Sequence, residues 1–398
     1  DMLQTIFENF PEEVVNDIAD FTFFPIVLRL VNDNSAKCRS KAGKVAKILL
    51  QTIDIATFNR IFKVVLQWFK TPGETMLCVA AAQVAGLAAE AAKDSQDKSI
   101  TDSLKPVYSS LLQLLGFDSN MEEVDGSGES WAITYHALVS IHKFVRLLPS
   151  IGDVDAFLIS GSSGSSVAEI ETVLELMEHG HVWVRKAATR LTGECLSRIK
   201  SEESPRKQFF NKEEDIFKLV EVSCAQLQSN LLEDEFTDQI TKNLIWCISK
   251  YQDMGCTKGK NWLVHRLSYL SRQVGSSEEL RRSCCFKCLG FITTQIDENE
   301  LRNYLVPVMS SLIRFKDVEL ANDVLEVIES RIESATYLQA FKEVQQQIQR
   351  VKDERKRKIA VEKIENPNAA ALRKLQKTAK KRVAKKRRIA KARIKRGR

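Results

Sequence analysis

The chain has 398 residues, 44% of them hydrophobic, and its 59 basic and 52 acidic side chains leave a net charge of +7. That is ample for a core, and ordinary globular packing would divide such a length into about two or three domains, a limit that a one-dimensional solenoid escapes. Nine cysteines, an odd number set mostly inside apolar helical patterns, suit reduced thiols better than a disulfide framework; no secretory leader and no apolar run near the ~20 residues of a membrane span is expected.

Taken in chain order, nearly every segment has the three- and four-residue spacing of helices, and none sustains the alternation of a strand. The start at Asp1-Met2 already falls in helical pattern, which predicts a piece of something longer. In residues 31–50, Asp33 or Ser35 is expected to cap a following helix that carries Arg39 and small residues. Residues 56–69 put Phe58, Ile61, Phe62, Val65, Leu66 and Phe69 on one face. Residues 74–92 are nearly all Ala, Val, Leu and Gly, a texture that lets a neighbouring helix approach closely.

Breaks are predicted at 70–74, 122–130, 159–166, 201–212, 253–261 and 274–279, where Gly, Ser, Pro and charged residues cluster. The Gly/Ser stretch at 161–166 lacks the Gly-Lys-Ser/Thr ending of a phosphate loop and reads as a connector. His179 and His181 are two imidazoles without a third ligand and read as turn and cap residues. Residues 181–196 and 278–292 repeat the texture of 31–50: a polar start, an Arg, then small residues. Stacked helix pairs with this texture predict an all-α fold of the α-solenoid kind, with an irregular all-α globule as the competing reading.

Cys284, Cys285 and Cys288 lie on one apolar helix, with no second Cys or His pair at zinc spacing, and read as core. There is no nucleophile elbow and no Cys with an evident His partner, so no catalytic residue, metal, cofactor or small-molecule substrate is expected.

The charge is segregated. Residues 350–398 carry 22 Lys/Arg against 4 Asp/Glu, a local +18, which leaves −11 on the rest. Residues 337–365 predict a long charged helix that stops near Asn366, because Pro367 disfavours helix at the residue before it. Beyond it, Leu372, Leu375, Ala379, Val383, Ala390 and Ile394 form a thin apolar stripe, interrupted by Lys386. The candidate RNA-binding residues surround that stripe: Arg373, Lys374, Lys377, Lys380, Lys381, Arg382, Lys385, Lys386, Arg387, Arg388, Lys391, Arg393, Lys395 and Arg396. Such an arm is expected to be largely disordered when free and helical along phosphates. Import signal and RNA arm are compatible readings; a membrane-surface helix is disfavoured by the thin apolar face.

Four segments in order resemble one family. Residues 21–50, 181–196 with Trp183, 280–292 with Arg282, Cys284, Phe286, Lys287, Leu289 and Gly290, and 354–377 with Asn366-Pro367 are similar to the C-terminal region of the large HEAT-repeat scaffold of the small-subunit processome, also called the down-regulated-in-metastasis family. The resemblance implies a non-catalytic nucleolar scaffold of early pre-ribosomal particles that supports pre-rRNA processing. Its implied partners are pre-rRNA or snoRNA, other assembly factors and ribosomal proteins, with no membrane. It implies HEAT-like repeats over 1–336, a long helix over 337–365 and a basic arm over 366–398. It also implies an Asp–Arg ladder between repeats, for which Asp33, Arg39 and Arg185 are candidates, although no Asp precedes Arg185. The alternative is a general HEAT-type adaptor whose tail is only a nuclear import signal.

Overall fold

The structure is a computed structural model and describes residues 2–71, 74–94, 98–115, 130–152, 170–199, 210, 212–229, 231–275 and 277–396. The breaks expected within 122–129, 159–166 and 201–209 lie outside these residues. Among the described residues every regular element is helical. Two compact units divide between Ile296 and Asp297.

In the first unit the chain runs α1 (Met2–Asn9), α2 (Glu12–Asn32), α3 (Ala36–Thr52), α4 (Ile55–Trp68), α5 (Thr75–Asp94), α6 (Lys98–Ser103), α7 (Lys105–Leu115) and α8 (Ser130–Leu147). It continues through α9 (Ile170–Leu176), α10 (Val182–Arg198), α11 (Glu213–Gln226), α12 (Asp234–Asp253), α13 (Thr257–Leu270) and α14 (Glu278–Gln295). Local chemistry sets these bounds. The Asp54 carboxylate accepts from the Thr57 amide at 2.7 Å and starts α4. That hydrogen bond is the first cause of the lowered Asp54 pKa. Between α12 and α13 the chain turns at Gly255 with φ +67, a left-handed conformation that a side chain would strain.

The stacking of these helices is solenoid-like. Helices α3, α5, α8, α10, α12 and α14 each pack on the next and form one layer. The other layer holds α2, α4 and α7, then α9, α11 and α13, and each of these packs on its partner in the first layer. The residue texture explains the close layer. On α5, Ala81, Ala82, Val84, Ala85, Ala88 and Ala89 are fully buried. Gly86 faces Ser140 of α8, whose Oγ donates to the Ala82 carbonyl at 2.6 Å. Backbones this close leave no room for larger side chains.

That same run requires a correction. Residues 75–93 of α5 form 19 residues long and apolar enough to cross a membrane, where no such run was expected. Ala-rich composition scores as apolar in either setting; here 67% of the segment's residues are buried, packed against α3, α4 and α8.

Of the face expected over 56–69, Phe58, Ile61, Phe62 and Val65 are buried, while Leu66 and Phe69 are half-buried. Cys224, Cys247, Cys284, Cys285 and Cys288, from α11, α12 and α14, are free and buried. Burial pushes the Cys224 thiol up to about 12. A thiol held protonated this firmly, as at Cys224, acts as a small apolar group.

The second unit contains α15 (Glu298–Leu312), a short 3-10 turn (Ile313–Phe315), α16 (Glu319–Arg331), α17 (Ser334–Glu365) and α18 (Pro367–Arg396). Helix α17 packs on α15 and α16 and buries Ala340 and Val344 in its first half. From Lys356 to Val361 its residues are exposed.

Candidate nucleic-acid interface

The charged half of α17 and all of α18 form the candidate interface. Helix α17 ends at Glu365, Asn366 takes the cap position at φ −142 and ψ 71, and Pro367 opens α18. Proline suits a first helical position, where its missing N–H has no partner to lose. At about 1.5 Å per residue, the 30 residues of α18 extend ~45 Å.

The two helices bend against each other. The Arg373 guanidinium reaches back to both oxygens of Glu362, at 2.5 and 2.6 Å, although eleven residues separate them. A straight helix would hold their backbones ~16 Å apart. Inside the bend lies a cleft of about 660 Å³ whose walls include Arg355, Ile359, Lys363, Pro367, Lys374 and Lys377. Glu362 is the residue that sequence reasoning missed. Its only signal was its position in the last turn before Asn366-Pro367.

Along α18, Arg373, Lys374, Lys377, Lys380, Lys381, Arg382 and Lys386 are exposed. Lys385, Arg387, Arg388, Lys391, Arg393, Lys395 and Arg396 continue the same helical backbone. The helix therefore exists where disorder was expected for a free arm. Ala, Leu, Lys and Arg are all strong helix formers, and that propensity opposes the like-charge repulsion between turns. The first turn contains no acidic residue. The arrangement can do one thing chemically: follow a row of anions.

The candidate ladder residues make main-chain clamps. Arg39 Nη1 donates to the Asp33 carbonyl at 2.6 Å, while the Asp33 carboxylate accepts from the Ser35 amide at 2.8 Å and meets Arg29 at 3.4 Å. Arg185 Nη1 donates to the carbonyls of His179 and Gly180 at 2.7 and 2.9 Å. Both arginines stand fourth in their helices and reach six residues back, which explains why the later repeat needs no Asp. His179 and His181 act as turn and cap: each Nδ1 accepts a nearby amide, from His181 at 2.9 Å and from Trp183 at 3.4 Å. Among the described residues no group of three or more His, Cys, Asp or Glu is placed to hold a metal.

Comparison with known proteins bears on this arrangement. The model of a family described as the C-terminal region of small subunit processome component 20 homologues matches residues 76–391. The U3 small nucleolar RNA-associated protein 20 of Schizosaccharomyces pombe is 22% identical over 394 residues, covering 93% of this chain. The chain spans 15% of that protein's length. The crystal structure of an engineered protein aligns with 87% of this chain and 89% of its own at 15% identity, with a TM-score of 0.37.

Proposed function

We propose, for a chain that belongs to the C-terminal family of small subunit processome component 20 homologues, a non-catalytic scaffolding role in small ribosomal subunit biogenesis. The stacked helices of the first unit supply rigid surface for assembly factors and ribosomal proteins, and α18 binds pre-rRNA or snoRNA in the nucleolus. One observation carries the RNA reading: the exposed Arg373, Lys374, Lys377, Lys380, Lys381, Arg382 and Lys386 stand on one helix without a single acidic residue. Such a helix follows a phosphate backbone by electrostatics without reading bases.

If about 6–10 phosphates are neutralised, affinity falls about 10³–10⁵-fold between 50 and 200 mM salt. The decisive experiment is ultraviolet crosslinking of purified pre-ribosomal particles. Crosslinks from 373–396 to RNA support the role, and crosslinks confined to protein overturn it. The run from Lys380 to Arg388 also fits an import signal. Replacing residues 371–398 by a heterologous import signal separates the readings, because full rescue of ribosome assembly would leave the arm with transport alone.

A further inference from the structure

A second surface, in the first unit, combines aromatic rings with cations. On α8, Trp131, Tyr135, His142 and Arg146 follow one another at helical spacing; on α10, Trp183, Lys186 and Arg190 do the same. Residues of both stripes, Trp131 apart, line a cleft in two adjoining parts. Its first part, about 260 Å³, lies beside Tyr135, Trp183, Lys186 and Glu233. Its second, about 510 Å³, lies beside Arg146, Glu194 and Lys242. His142 and Arg190 border both parts.

The aromatic end is a platform. Trp131 stacks on His181 with centroids 3.7 Å apart and planes 9° from parallel. Trp183 meets that stack edge-on, 5.4 Å from Trp131, with Tyr135 at 5.7 Å. Yet half of Trp183 is exposed to solvent. Phe21, Leu28 and Tyr269 are exposed as well, so what sets Trp183 apart is that it is exposed among three other rings.

The cationic end has charge to spare. Lys186 pairs with Glu233 at 2.6 Å and Arg190 with Glu235 at 2.7 Å. Glu194 is taken by Arg198 at 2.9 Å and lies 3.8 Å from His142. Arg146 and Lys242 face the cleft with no carboxylate partner among the described residues. The exposed Arg190–Glu235 pair is weak, so a phosphate competes for Arg190 at small cost.

We infer that this cleft binds single-stranded RNA: a base stacks on Trp183 and the backbone runs past Lys186 and Arg190 toward Arg146 and Lys242. An acidic peptide would use the cations but leave the rings idle, whereas a single strand brings a base to the aromatic end and its phosphates to the cationic end. The site lies in the first unit and is distinct from the α18 arm. It rests on the reading that this chain works beside RNA.

The test uses the full chain and a short uridine-rich oligoribonucleotide carrying thiouridine, photo-crosslinked and mapped by mass spectrometry. Crosslinks at 131–135 and 183–190 are expected. Trp183→Ala should weaken binding about tenfold at high salt, where the arm is screened, and Trp183→Phe should restore most of it. Arg146→Glu with Lys242→Glu should weaken it comparably. Helical circular dichroism identical to the parent establishes that these exposed-site variants fold. Crosslinks confined to 366–396, with Trp183→Ala binding unchanged, overturn the cleft and leave the arm. Crosslinks confined to the cleft overturn the arm and leave the cleft. None at either place overturns both, and a polyglutamate peptide that quenches Trp183 where RNA does not assigns the cleft to protein.

Discussion

Substituting Gly86 by Ala should destabilise the first unit, although alanine is by itself the better helix former. In an open helix interior the exchange gains about 1 kcal/mol. At Gly86 the new Cβ would lie 2.6 Å from Ser140 Oγ and 3.3 Å from Ser140 Cβ. The Oγ cannot simply yield, because it donates to the Ala82 carbonyl at 2.6 Å inside a buried contact. Overpacking of this kind costs about 1–3 kcal/mol, and losing the hydrogen bond adds about 1. The net loss is about 1–3 kcal/mol. Gly43 on α3 is the internal control: its Cβ would meet Leu30 Cδ1 at 3.5 Å and Leu87 Cδ2 at 3.9 Å, ordinary contact. Gly43→Ala should therefore stabilise by up to about 1 kcal/mol. Both glycines lie in the same unit, so urea unfolding followed by helical circular dichroism compares them in one transition. Adding Ser140→Ala should relieve part of the Gly86→Ala cost, giving a coupling of about 1 kcal/mol. If Gly86→Ala unfolds at the same urea concentration as Gly43→Ala, α5 and α8 are not in close contact and the reasoning is wrong.

Burial and Lys143 hold His136 at about 4, below its ordinary 6.5, with its Nε2 3.2 Å from the Gln83 amide. The unfolded chain then binds the extra proton first, so stability is full above pH 6.5 and declines as pH falls toward 4, by at most about 3 kcal/mol; His136→Gln should flatten that slope in urea titrations at stepped pH. Arg185→Ala frees the carbonyls of His179 and Gly180 in a half-exposed turn and should cost about 1–2 kcal/mol, against no measurable cost at the exposed Arg382, read by the same unfolding assay. Removing the Phe286 ring, fully buried on α14, should cost about 3–5 kcal/mol by Phe286→Ala; a loss below 1 would show that the α12–α14 contact is loose. Maleimide should label exposed Cys38 in the native chain, while Cys195 and Cys224, both held at about 12 by burial, react only after denaturation.

The limits of sequence reasoning are clear in particular residues. At α5 the alanine-rich texture foretold the close helix layer, but not that the same run is long and apolar enough to cross a membrane. The arm was expected to lose its helix to repulsion, and the propensity of Ala, Leu, Lys and Arg kept it. The Trp131, Tyr135 and Trp183 cluster was not singled out, because its members come from helices some fifty residues apart and only their packing makes a platform.

Sequence alone determined whatever depends on neighbours three or four residues away. The helical periodicity, the buried face of α4, the stop before Pro367 and the segregation of 22 basic residues into the last 49 are all such features. Helical order is local, since each hydrogen bond and each facing side chain lies within one turn of the residue that makes it. Tertiary structure decided the rest: that Gly86 admits Ser140, that Arg39 and Arg185 clamp carbonyls, that Glu362 draws Arg373 across the bend, and that Tyr135 and Trp183 line a cleft with Lys186 and Arg190. These depend on distances between segments remote in the chain, and those distances are set by how the side chains of whole helices fill the space between layers.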